Sequence, residues 1–270
     1  MATRPQKGRK DSALDAARGR GDSAADLRRH LAAAPAPYLS GAIENPEFQA
    51  EEVLLLLGNP AAPPSLLLRI GRDRRWMRAY EAKKALLRHP RTPLTLARSL
   101  LPHFYWKDLA DAAEDPRLPP SVRRQAEQIL ENRLDEMTQG ERISLARRAS
   151  RGVISALRES ADARVLQALL GNGRLLEHDA VRIASSAHAP REVLSGLADH
   201  PSWGARYAVR ISLVRNPRTP VPAALRLIGG LPRQDLQRLA RDAEVPRIVR
   251  VGADRRLESA AIAERRTRRG

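Results

Sequence analysis

Residues 76–130 and 203–257 are two versions of one segment, set 127 positions apart with no gap between aligned residues. Trp76 falls on Trp203, Tyr80 on Tyr207, Leu86 on Leu213 and Arg88 on Arg215. Pro90-Arg91-Thr92-Pro93 falls on Pro217-Arg218-Thr219-Pro220, Asp108-Leu109 on Asp235-Leu236, and Val122-Arg123 on Val249-Arg250. The match thins upstream but persists, with Asn45 on Asn172, Pro63 on Pro190 and Leu67 on Leu194. A chain that repeats at a fixed offset builds units that cannot bury their apolar faces alone. For 270 residues this favours one extended repeat array over a closed globule.

A shorter beat runs inside each half. Pro63, Pro93 and Pro119 lie 30 and 26 residues apart, and Pro190, Pro220 and Pro246 copy that spacing. In Arg91-Thr92-Pro93-Leu94 the threonine is expected to cap a helix whose first turn holds the proline. Asn59-Pro60, His89-Pro90 and Asn216-Pro217 are expected to end the preceding helix, because a residue before proline is pushed out of the right-handed helical region. Stop, short turn and restart describe a helical hairpin. The segment 76–87 reads as one helix with Trp76, Ala79, Tyr80 and Leu87 near one face, and 94–101 as another with Leu94, Ala97, Leu100 and Leu101. No stretch carries the alternation and β-branched enrichment of a strand.

The predicted fold is therefore all-α, a right-handed α–α superhelix of short hairpins in two duplicated halves. The expected boundaries are a disordered basic tail over 1–23, halves over 24–130 and 131–257, and a basic tail over 258–270. Aromatic residues make up only 3% against 42% hydrophobic, so the core must be leucine, alanine, valine and isoleucine.

Cysteine is absent, which excludes disulfides, thiolate metal sites and a cysteine nucleophile. Arg4, Lys7, Arg9 and Lys10 are not followed by an apolar run, and Val53–Gly58 is too short to span a bilayer. These features lead to the expectation of a cytoplasmic protein without a membrane partner. The net charge of +17 points to a polyanion, or else to the arginine enrichment of GC-rich coding sequence.

The densest basic stretch holds Arg72, Arg74, Arg75, Arg78, Lys83, Lys84, Arg88 and Arg91. On one helix, Arg74, Arg78, Lys84 and Arg88 would run along a single side and track phosphates; a plain solvated face is the competing reading. The second half is less basic, with Ala205, Ala208 and Ile211 at the positions of Arg78, Glu81 and Lys84. Trp76, Tyr80, Trp203 and Tyr207 recur in register, which favours packing between helices over stacking on bases. Trp106 has no aromatic counterpart, since Arg233 stands in its place, and is the candidate contact for a protein partner.

Catalytic constellations are weak. The six histidines show no metal-ligand spacing, the serines occupy no nucleophile elbow, and no glycine-rich phosphate loop occurs. No cofactor, metal, catalytic residue or small-molecule substrate is expected. Asp108 and Asp235 recur as a pair, which suggests capping of the helices they begin.

The Leu87-Arg88-His89-Pro90-Arg91-Thr92-Pro93 segment and Val214-Arg215-Asn216-Pro217-Arg218-Thr219-Pro220, with the Val122-Arg123 and Val249-Arg250 helix starts, resemble α-solenoids of the HEAT/armadillo type. The rhythm is similar to that of bacterial variant leucine-rich repeats and short HEAT-like repeats, over about residues 40–257. The resemblance implies a curved, non-enzymatic binding scaffold. Its partner is expected to be nucleic acid or a ribonucleoprotein held on the basic face, with a protein partner as the alternative. Some HEAT-like solenoids are DNA glycosylases, but no aspartate here sits on a matching motif.

Overall fold

The computed structural model describes residues 5–267, and side chains from 10 to 262. Its described residues contain nineteen α-helices, two short 3-10 turns and no strand. The chain is all-α. It forms two compact units, Met1–Ile129 and Leu130–Gly270.

The first unit contains α1 (Pro5–Gly21), α2 (Ala24–His30), α3 (Ala36–Ala42), α4 (Ala50–Leu57), α5 (Pro64–Arg72), α6 (Arg74–Met77), α7 (Tyr80–Arg88), α8 (Leu94–Leu100), α9 (Trp106–Glu114) and the start of α10 (Pro120–Arg133). Here α1 packs on α3, α2 on α4, and α4 on α7. The core is aliphatic, with Leu27, Leu39, Leu56, Leu67, Leu86 and Leu109 sealed from solvent.

The second unit contains α11 (Gln139–Ala146), α12 (Arg151–Leu157), α13 (Ala163–Leu170), α14 (Glu177–Ser185), α15 (Arg191–Asp199), α16 (Tyr207–Arg215), α17 (Val221–Ile228), α18 (Arg233–Arg241) and α19 (Arg247–Thr267). Packing runs through alternate helices, α11 on α13, α13 on α15, α15 on α17 and α17 on α19, while α14 packs on α16. Each of these helices thus meets near neighbours in sequence, as stacked hairpins do.

The turns supply the joints within each unit. Asn59 is buried after α4; its side-chain amide donates to the carbonyls of Leu31 (2.8 Å) and Ala34 (2.9 Å), and its Oδ1 accepts from the Ala61 amide. Asn45 does the same with Gly19 and Asp22, Asn172 with Ala146 and Ala149, and Asn216 with Ala184 and Ser186. Each asparagine thereby satisfies carbonyls left over where an earlier turn ends, and closes its own turn. The residues before Pro60, Pro90 and Pro217 do stand in turns, as the sequence predicts.

Several local expectations need correction. Residues 1–23 are not a disordered tail where they are described, because Pro5–Gly21 is helical. The reason is close backbone approach: a Cβ on Gly41 would sit 2.0 Å from the Ala16 carbonyl oxygen, and one on Gly19 would sit 2.4 Å from that of Tyr38. Glycine at both crossings lets a polar helix dock without a large apolar face. The tail expected at 258–270 begins inside α19, which continues to Thr267. Positions 1–4 and 268–270 of the two expected tails lie outside the described residues.

The expected helix over 76–87 is two helices. Asp73 caps the single turn of α6 through the Arg75 amide, and the chain extends at Ala79 before α7 restarts. That break lets Trp76 pack edge-on against Phe48, at 5.6 Å between ring centres, while Tyr80 reaches Asp108. Thr92 caps nothing; its hydroxyl donates backward to the Leu86 carbonyl at 2.6 Å, and Pro93 takes the N-cap position. In α8, Leu96 replaces Leu94 on the buried face.

Candidate functional site

The broken helix divides the basic stretch into two groups. Arg74 and Arg78 belong to α6 and its cap, whereas Lys84 and Arg88 lie on α7, so they do not share one helical side. Arg75 is held by Asp73 at 2.7 Å and lies over the Trp76 ring at 4.9 Å. Lys84 pairs with Asp108 at 3.2 Å and with Glu81 at 3.6 Å. Arg91 donates to the Ala61 carbonyl at 3.2 Å. These three cations are spent on the fold.

Lys84 and Arg88 line a small cleft with Asp108 and Asp111 of α9 and with Asp115, the extended residue that ends that helix. Asp115 is kept below the usual carboxylate range chiefly by Arg117, with a smaller contribution from Arg88. Arg88 therefore faces negative charge from its own unit. A second anion has little reason to enter here.

Arg72, Arg74, Arg78 and Lys83 differ. None has an ion pair or side-chain hydrogen bond among the described residues, and the three arginines are exposed. The sequence-selected set thus splits into four unpaired cations and four that face acceptors.

The recurrent aromatics are structural. Trp76 and Trp203 are buried, each with an arginine over its face, Arg75 at 4.9 Å and Arg206 at 5.0 Å. The Trp203 indole donates to the Leu170 carbonyl at 3.2 Å. Tyr80 donates to Asp108 and Tyr207 to Asp235, so the recurring aspartates hold the tyrosines of other helices; the N-caps of α9 and α18 are Tyr105 and Pro232. Burial, reinforced by the Asp108 hydrogen bond, pushes the Tyr80 hydroxyl up to about 12. Trp106 opens α9 and is half-buried, with Lys107 at 5.7 Å from its ring. Its neighbour Tyr105 is 70% exposed and tilts against Tyr80.

Two buried carboxylates escaped the sequence reading. Glu52 accepts from Arg28 at 2.7 Å and from the Gln49 amide at 3.0 Å. Asp179 accepts from Arg151 at 2.5 Å, Arg158 at 2.8 Å and the Leu176 amide at 3.0 Å. Burial raises the Asp179 pKa, but the two guanidinium groups and the amide outweigh it and hold the carboxyl below its ordinary value. These acids link neighbouring helices and carry no exposed reactive oxygen. Their sequence signal was an acid at the third position of a helix with arginines 21–28 residues away.

Among the described residues, no group of three or more histidine, cysteine, aspartate and glutamate side chains is arranged to hold a metal ion. No helix among them is long and apolar enough to cross a membrane. No protein-family model, curated protein or solved structure matches the chain.

Proposed function

We propose that the chain is a non-enzymatic helical-repeat scaffold that holds a polyanionic partner, nucleic acid or a ribonucleoprotein, on an unpaired basic surface of its first unit. In this reading the two units are duplicated halves of a right-handed superhelix of HEAT-like hairpins. The packing of helices on near neighbours in sequence and the carbonyl-capping asparagines support it. The carrying observation is that Arg72, Arg74, Arg78 and Lys83 have no partner among the described residues while the cations around them do. Cations not neutralised internally are the ones that release counterions on meeting phosphates. The chain's +17 charge adds long-range attraction.

The test is binding of the full chain to mixed-sequence RNA and DNA as salt is raised. Affinity should fall steeply between low and moderate salt. Salt-insensitive binding, or none to either polymer at low salt, defeats the proposal. A second reading, docking of a protein, is favoured by the exposed Tyr105 beside half-buried Trp106. It requires a partner that survives nuclease treatment and is released by Trp106→Ala.

A further inference from the structure

In the second unit α11 and α13 pack together and leave an open cleft of about 680 Å³. Its lining is Ile143, Arg147, Arg164, Gln167, Ala168 and Gly171. Arg147 caps the end of α11 and Arg164 lies in the first turn of α13. Both are exposed, neither has an ion pair or side-chain hydrogen bond among the described residues, and the lining contains no acid.

The first unit shows what is missing. At the 127-residue offset Arg147 corresponds to Arg20 and Gly171 to Glu44. Glu44 takes Arg20 at 3.4 Å on one oxygen and Arg69 at 3.0 Å on the other, which holds its carboxyl below the ordinary range. In the second unit both sides of that arrangement are gone, because Glu44 is replaced by Gly171 and Arg69 by Gly196. A Cβ on Gly196 would meet nothing within 4 Å. Arg164, standing where the first unit has the uncharged Pro37, adds a second guanidinium to the uncompensated one.

We propose that this cleft binds the phosphodiester backbone of a nucleic acid strand, with Arg147 and Arg164 taking the phosphate oxygens and Gln167 donating beside them. The inference rests on the polyanion reading above and adds a second contact in the other unit. Guanidinium forks match phosphate oxygens in geometry and charge. The small side of the cleft, Ala168 and Gly171, leaves room for a sugar–phosphate chain to lie close. The cleft is open and holds few apolar side chains, which suits a polymer running through it better than an enclosed small molecule.

The test uses the full chain and a labelled mixed-sequence single-stranded RNA, with affinity read by fluorescence anisotropy across a salt series. Arg147→Gln with Arg164→Gln removes the charges. Gly171→Glu restores the acid of the first unit, and Gly171→Gln is its neutral control. A Cβ at Gly171 meets only the Ala168 carbonyl, at 3.5 Å, so these substitutions fit the fold. The double glutamine variant and Gly171→Glu are expected to bind about tenfold more weakly, with the salt slope lowered by about 1 to 1.5. Gly171→Gln should stay within about threefold of the parent, on the same electrostatic argument. If the double variant binds like the parent while reversal of Arg72, Arg74, Arg78 and Lys83 abolishes binding, this cleft is wrong and the first-unit surface stands. If the parent chain binds no nucleic acid at low salt, both fall together.

Discussion

His89 places its Nε2 3.0 Å from the carbonyl oxygen of Asn59, one hairpin earlier in the chain. A carbonyl only accepts, so Nε2 carries the proton, and Nδ1 is free to accept from the Arg91 amide at 3.1 Å. Histidine here does what asparagine does elsewhere, since the residue 127 positions later is Asn216. Asn59→Ala is expected to destabilise the first unit by about 2 kcal/mol or more, because it strands two carbonyls and an amide away from water. His89→Asn should cost much less. Chemical denaturation of both variants checks this ranking, and equal losses would refute the joint role of these side chains.

Tyr80 and Asp108 give a prediction at alkaline pH. The Tyr80 hydroxyl ionises at about 12 in the folded chain, against about 10 when unfolded. A raised folded pKa means that its contribution is complete below pH 10 and is lost as pH climbs toward 12. Phenolate absorbance should therefore rise late and together with loss of helix. Asp108→Asn should shift the Tyr80 midpoint downward, because it removes the negative charge that disfavours the phenolate. An unmoved midpoint would show that burial acts alone.

Asp179 governs the acid limb. Its folded pKa is lowered, so its contribution is present above the unfolded value near 3.8 and disappears as pH falls through the folded one. Asp179→Asn is expected to cost about 3 kcal/mol at neutral pH, toward the low end for a broken buried pair, because Arg151 reaches solvent. It should also flatten the acid loss of stability in the second unit. Urea titrations of parent and variant at neutral and acid pH read both effects, and an unchanged acid limb would count against the assignment.

Gly41→Ala tests the docking of α1. The added methyl would strike the Ala16 backbone, which cannot move aside as a side-chain tip can. Faster tryptic cleavage after Arg18 and Arg20 is expected, with cleavage in the second unit unchanged. Parent-like resistance would mean that α1 does not rely on this contact.

Helix content and the hairpin beat were legible because prolines and the 127-residue recurrence act locally, and the buried Trp76 and Trp203 follow from the same pattern. The order of α1 was not legible, since it depends on glycines at a crossing with α3 rather than on an apolar stripe. Nor was the division of the basic stretch. Lys84 and Arg91 look like Arg72, Arg74 and Arg78 in sequence, and only folding brings Asp108 and the Ala61 carbonyl against them, whereas Arg75 is held by Asp73 two residues away. Arg147 was hidden for the opposite reason, because its distinguishing feature is an acid that Gly171 does not supply.

That division can be measured through counterion release. Two variants are needed, one with Arg72, Arg74, Arg78 and Lys83 changed to glutamine and one with Arg75, Lys84 and Arg91 changed likewise. Against single-stranded RNA the first should lower the slope of log affinity on log salt by about 3 and keep its melting temperature. The second should keep the slope and melt earlier. Equal slope losses, or a larger loss in the second variant, would contradict the claim that only cations without an internal partner meet the polyanion.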